Sequence, residues 1–187
     1  MSNVTELSGG SATATLAAAG KYLAFKVASE RYGVPIKRVQ EIIRKLPVTR
    51  IPHAPEYIRG VFNLRGRVIP MADMRGRMRF AAADDTDRTC IVVARVDING
   101  VQTDLGMVVD DVPQVVDIGT DDIEPAPPLG THVDTHCLQG MGKCHEEVVL
   151  LLDLERTFAS LGNVLSGSDS KPGVATADTE TQDGVES

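Results

Sequence analysis

The dipeptide Asn99-Gly100 constrains the fold of this chain more than any other feature. Before it runs "CIVVARVDI" and after it "VQTDLGMVVDDV", both rich in β-branched residues. Asn-Gly between two such runs is the strongest short hairpin signal. A two-residue type I′ turn needs positive φ at both central positions, and these two residue types reach it at least cost. A long antiparallel hairpin therefore fills the middle of the chain, and its surroundings must build a sheet around it.

The flanking sequence supplies the strands. In "KYLAFKVA" Leu23, Phe25 and Val27 alternate with Ala24 and Lys26, the pattern of a half-buried strand. "SERYG" follows as a tight reversal and "VQEIIRK" as a second β-rich run. In that run Val39, Glu41 and Ile43 share one side of the pleat, leaving a carboxylate between two β-branched residues. Pro70 in "RVIPM" belongs at an edge or strand end, because it cannot donate to a ladder. "PQVVDI" adds a further strand, and "EVVLLLDL" is a continuous apolar run suited to burial on both faces. Two stretches read as helical: about one turn in "APEYIRG", and "DLERTFASLG", with Asp153 as N-cap and Gly162 as a stop. Many short strands with little helix mean a barrel or sandwich and argue against Rossmann or TIM architectures. "FAAADDTDR" reads as the seam between two halves, and "IEPAPPLGTHVDTH" as a long surface connection. Structure is expected over residues 20–161, between a flexible arm (1–19) and a disordered acidic tail (162–187).

Charge and composition exclude several functions. A formal net charge of -7 disfavours indiscriminate binding to DNA or anionic membrane. With 4% aromatic residues and no Trp, there is little to stack on single-stranded nucleic acid. No run approaches the roughly 18 apolar residues of a membrane span, and "MSNVTELSGG" has no secretion signal pattern. Three cysteines, an odd number, argue against a disulfide framework and fit a reducing cytoplasm.

Side chains that could carry chemistry are sparse. Asp84-Asp85, Asp110-Asp111 and Asp121-Asp122 are adjacent pairs, and strand neighbours point to opposite faces, so none forms an acid–base dyad. Solvated turns are the simplest reading of all three. His132, His136, Cys137, Cys144 and His145 crowd one segment, yet C-x-x-C is missing and "THVDTH" lacks helical periodicity. No metal site is assigned there, and Cys90 reads as core packing. "GMGKCH" has too few glycines for a phosphate loop and reads as a bulge or tight turn. G-x-S-x-G, Walker and H-E-x-x-H signatures are missing, so no catalytic residue or cofactor is assigned.

There remains a concentration of arginine in an acidic chain: Arg59, Arg65, Arg67, Arg75 and Arg77 around "GVFNLRGRVIPMADMRGR". Part of it is a solvated basic face. Arg65, in "NLRG" between apolar runs, projects from a turn on a packed scaffold, where a guanidinium can pair bidentately with a carboxylate. Glu41 is its expected partner within the chain, and an exposed pair of this kind is worth at most about 1 kcal/mol.

"VQEIIRKLPVTRIPHAPEYIRGVFNLRGRVIPMADMR" resembles the signature stretch of the CheW family of chemotaxis coupling proteins. "YLAFKVASERYGVPIKRVQEI", "GMVVDDVPQVVDI" and "LQGMGK…VVLLLDLERTF" match in the family's order and spacing across residues 20–161. The resemblance implies a mainly β fold of two intertwined five-stranded SH3-like barrels with a shared apolar core and short helices, one of them C-terminal. It also implies a non-catalytic cytoplasmic adaptor that joins the cytoplasmic tips of chemoreceptors to the regulatory domain of the chemotaxis histidine kinase. Such adaptors pair with other CheW-like domains in rings within membrane-associated arrays, without nucleic acid and without inserting into the membrane. Partner-binding positions carried over by the resemblance are Val39, Glu41, Gly60, Arg65, Gly106, Val112 and Val115. Asp111, where many relatives have glycine, and the Cys144-His145 pair depart from the family pattern. A regulatory protein binding metal through segment 132–145, or anions through the arginines of 59–79, is the alternative reading. Nucleic-acid binding through that same arginine stretch is a third.

Overall fold

The computed structural model describes residues 17–44, 46–126, 135–144 and 146–162. The expected tail beyond Gly162, the start of the expected arm, His132 and His145 lie outside them. Among the described residues, eleven strands form two sheets. The first runs in the order β8-β1-β2-β11-β10-β9, with β1 Gly20–Val27, β2 Glu30–Pro35, β8 Asp111–Ile118, β9 Ile123–Glu124, β10 Leu138–Cys144 and β11 Glu147–Leu152. The second runs β3-β6-β7-β5-β4, with β3 Val39–Ile43, β4 Ile58–Leu64, β5 Arg67–Asp73, β6 Cys90–Ile98 and β7 Val101–Val109. One-turn helices follow β5 (α1, Met74–Arg77) and β11 (α2, Leu154–Thr157). The mainly β class expected from the sequence is the class observed, and the sixth strand of the first sheet is the two-residue β9.

The chain begins in the first sheet, crosses through residues 36–38, builds the whole second sheet, and returns at Asp110. "FAAADDTDR" therefore joins α1 to β6 inside one sheet and is not the seam. The true seams are the two short crossings, which carry no turn cluster to mark them.

Burial falls into three clusters. Tyr22, Ala24, Val116, Ile118, Val149 and Leu151 pack inside the first sheet. Phe62, Leu64, Ile69, Met71, Ile91 and Val93 pack inside the second. The largest cluster lies between them and draws on both, with Phe25, Val34 and Leu152 meeting Val92, Leu105 and Met107 under Phe158 and Leu161. Strand β1 is accordingly buried on both faces over Tyr22–Phe25, where alternation alone indicates one. At 25 cal/mol per Å² of apolar surface removed from water, each such large side chain contributes about 1.5–3 kcal/mol.

Local features follow backbone requirements. The β6–β7 hairpin pairs Ile98 with Val101 around Asn99 (φ 54) and Gly100 (φ 81), the two positive φ values of a type I′ turn. Pro70 sits inside β5 rather than at its end, opposite Val61. Val61 exchanges both backbone hydrogen bonds with Thr49, at 2.8 Å each, so it asks nothing of the missing N–H, and β5 meets β7 only from Met71 onward. The "SERYG" reversal is narrower than expected: only Ala28 and Ser29 lie outside the strands. "APEYIRG" is not helical, because β4 already begins at Ile58. Asp153 caps α2 by accepting from the Arg156 N–H at 3.0 Å, and Gly162 is itself helical rather than a stop. In "EVVLLL" Val148 faces outward and Leu151 and Leu152 are buried, so burial on both faces holds only for the second half of β11. "GMGKC" does contain a bulge, between Leu138 and Gly140.

Candidate partner-binding site

The turn joining β4 to β5 carries the leading candidate. Leu64 pairs with Arg67, leaving Arg65 (φ 52) and Gly66 (φ 84) as a two-residue loop. Among the described residues the same turn occurs twice. In "NLRG" the Asn63 side chain accepts from the Gly66 N–H at 2.8 Å; in "DING" Asp97 accepts from Gly100 at 2.7 Å. The second copy has Asn at the first central position, as the backbone prefers, whereas the first has arginine. A left-handed conformation costs a residue with a long side chain roughly 1–2 kcal/mol. Strain of this kind collects where a side chain is needed for something other than the fold.

Arg65 is 78% exposed and donates from Nη2 to Glu41 Oε2 at 3.0 Å, the pairing expected from the spacing of β3. Glu41 is held at the base of the pair, only 22% exposed, by the alternation that half-buries Val39, Glu41 and Ile43 and turns Gln40 and Ile42 outward. Strands β3 and β4 terminate opposite ends of the second sheet's order. The ion pair ties the β4–β5 turn to β3 at the other end of that order, and Thr49, in the connection between β3 and β4, bridges to Val61 of β4.

The remaining candidates divide into two kinds. Gly60 and Gly106 are buried and offer no side chain to a partner. Gly60 has φ 141 at a bulge in β4, and a Cβ there would overlap the Thr49 carbonyl. A Cβ on Gly106 would sit 2.6 Å from Phe62 Cε1 and 3.0 Å from Ile91 Cγ2. Both glycines shape the second sheet beneath the Arg65 turn. Val112 and Val115 lie on β8, in the first sheet: Val112 packs on the shared core, and Val115 is 48% exposed. The structure thus brings Glu41 and Arg65 together, places Val39 beside them on β3, and leaves Val112 and Val115 on the other sheet.

The other four arginines are engaged internally. Arg59, on the bulge of β4, donates to Asp73 Oδ2 at 2.7 and 2.8 Å and to Asp85 at 2.8 and 3.1 Å. Its desolvation is outweighed by the hydrogen bonds and charges of these carboxylates, which hold its pKa above the ordinary arginine value. Arg75 grips Asp110 at 2.7 and 2.8 Å, which raises its pKa likewise. Arg67 pairs with Asp104, and Arg77 donates to the Thr157 carbonyl at 2.5 Å while lying 5.7 Å over the Tyr57 ring. Three acids read as solvated turn residues are therefore ion-pair partners: Asp85 and Asp110 as above, and Asp111 with Arg88 at 3.9 Å. Their cations are distant in sequence, so adjacency alone does not reveal them. This internal pairing also removes Arg59 and Arg75 from any anion site.

Among the described residues no group of three His, Cys, Asp or Glu gathers as a metal ligand set. His136 is exposed, Cys137 is buried with Arg77 Nη2 at 3.2 Å from its sulfur, and Cys144 packs on the first sheet's cluster. Burial, aided by the Asp111 charge and opposed by Arg44, raises the Cys90 pKa, in keeping with a packing residue. Where the chain first crosses between sheets, a cavity of about 330 Å³ opens among Tyr22, Ile36, Leu152 and Leu154, with the Arg38–Glu155 pair (2.8 Å) at its wall. Among the described residues, no helix is long and apolar enough to cross a membrane.

Comparison with known proteins bears on the family and the fold. The model of the CheW-like domain matches residues 21–162. Chemotaxis protein CheW of Klebsiella aerogenes is 34% identical over 140 residues, covering 75% of this chain and 82% of that protein. Protein FrzA of Myxococcus xanthus is 30% identical over 138 residues, 73% of this chain and 83% of that protein. The crystal structure of the scaffolding protein TtCheW from Thermoanaerobacter tengcongensis superposes with a TM-score of 0.69 at 31% identity, covering 78% of this chain and 96% of that one. On sequence and on structure, the chain belongs to the CheW-like domain family.

Proposed function

We propose that the chain is a chemotaxis adaptor that couples chemoreceptor cytoplasmic tips to the regulatory domain of the chemotaxis histidine kinase. It works as a scaffold without chemistry of its own, as is usual in its family. The observation that carries the reading is Arg65: an exposed arginine held in a left-handed turn whose twin uses Asn for the same backbone. Arg65, Glu41 and Val39 form one contact surface on the second sheet. Val112 and Val115 contribute from β8, and Gly60 and Gly106 keep the second sheet's packing in register. A receptor's helical hairpin enters the groove between the sheets, for which the cavity beside residues 36–38 offers apolar walls and a charged rim. Contacts with other CheW-like domains in rings then recruit the protein from the cytoplasm to membrane-associated arrays.

The test compares Arg65→Asn and Arg65→Glu with the parent in a reconstituted receptor–kinase mixture. Asn relieves the left-handed strain but loses the Glu41 pair, two terms of about 1 kcal/mol that offset, so its stability stays within about 1 kcal/mol of the parent. Both variants are expected to fold and to lose receptor-dependent stimulation of kinase autophosphorylation. Full stimulation by folded Arg65→Asn would remove Arg65 from the site.

A further inference from the structure

A line of alternating guanidinium and carboxylate groups runs from one sheet to the other. It starts at Asp85, passes to Arg59 on β4, and from there to Asp73 at the end of β5. The other oxygen of Asp73 caps α1 by accepting from the Arg75 and Gly76 N–H groups at 2.8 and 3.4 Å. The Arg75 side chain then turns to Asp110, with Nε on Oδ1 at 2.8 Å and Nη2 on Oδ2 at 2.7 Å. Asp110 stands at the second crossing, between β7 of the second sheet and β8 of the first. It reaches the first sheet with two further hydrogen bonds. Oδ2 accepts from the Ala28 N–H at 2.6 Å, and its own N–H donates to the Lys26 carbonyl at 2.9 Å. Ala28 occupies the β1–β2 turn with φ 54, a conformation that costs a non-glycine residue energy and that the Asp110 carboxylate helps to hold.

Stability alone is a weak reason for this arrangement. Half-buried ion pairs gain little net energy over apolar packing, and their value lies in fixed geometry. The bidentate grip constrains both distance and angle at the one point where the chain returns between sheets. Val112 follows it by two residues and Val115 by five.

We propose that Arg75 and Asp110 are positioning residues: their pair fixes β8, with Val112 and Val115, relative to the sheet that presents Arg65 and Glu41, so that both faces engage partners at once. This rests on the adaptor reading for its functional half, while its geometric half stands alone. Neither residue is assigned a contact with a partner.

The experiment uses the full chain with Asp110→Asn and Arg75→Gln, and Arg67→Gln as a control that breaks an ion pair within one sheet. Asn at 110 keeps an oxygen for the Ala28 N–H and loses the charge that holds Arg75. For both seam variants, a receptor fragment and the kinase regulatory domain each bind singly within about threefold of the parent, while receptor-dependent stimulation falls on the order of tenfold, the scale of a coupling between two sites. Arg67→Gln stimulates as the parent does. Backbone residual dipolar couplings supply the second readout. Amides of β8 fit the alignment tensor of β6 in the parent and depart from it in Asp110→Asn. Undiminished stimulation by both seam variants, or loss that merely follows their folded fraction, overturns the positioning role. Should the parent itself give no stimulation, the adaptor reading fails, and the dipolar couplings alone then decide whether the pair fixes the sheets.

Discussion

Gly106 and Phe62 depend on each other. An added methyl at 106 meets the Phe62 ring at 2.6 Å in a fully packed interior, and overpacking of this kind costs about 1–3 kcal/mol. Gly106→Ala should therefore lower the urea midpoint, and Phe62→Leu in the same chain should recover part of the loss, both read from denaturation curves. Little of this is visible in sequence, because two strands, β5 and β6, separate Gly106 from Phe62 along the chain and nothing local marks the approach. The Arg65–Glu41 pair is the opposite case. The pleat puts Glu41 on a half-buried side next to apolar neighbours, which demands a cation, and the short "NLRG" turn supplies one. The Asp85 and Asp110 pairings stayed hidden because an ion pair between distant elements leaves no local pattern.

At the scale of elements, turn chemistry is what the sequence displays best. The Asn99-Gly100 hairpin, the Asp153 cap and the bulge of β10 all follow from residues with one conformational purpose. Asn99→Ala should cost about 1–2 kcal/mol, the penalty of a left-handed alanine, and leave the fold unchanged. Chemical denaturation of this variant should show a lower midpoint with an unaltered slope. Helix α1 was not legible because "MRGR" is a single turn without periodicity, formed where Asp73 caps it. "APEYIRG" misleads for a related reason: its apolar residues suit a helix, yet the bridge from Thr49 onto Val61 draws the chain out into a strand.

For the molecule as a whole, the class was readable and the interleaving was not. Alternation reports which residues are buried, but not that β1 and β8, distant along the chain, lie side by side. Because the largest cluster takes residues from both sheets, neither keeps more than its own smaller cluster without the other. Urea unfolding should therefore be a single transition, with tyrosine fluorescence of a Tyr57→Phe variant, which reports Tyr22 and Tyr32 of the first sheet, coinciding with circular dichroism of the entire chain. Two separated midpoints would mean that each sheet stands alone. Strand β1 carries a further consequence for how such a chain can diverge. Its odd residues serve the central cluster and its even ones the interior of their own sheet. Losing or gaining one residue there would exchange the two sets, sending Phe25 into the space of Ala24. Lineages can trade side chains of similar volume along this strand, but its length is closed to change, so insertions and deletions must accumulate elsewhere.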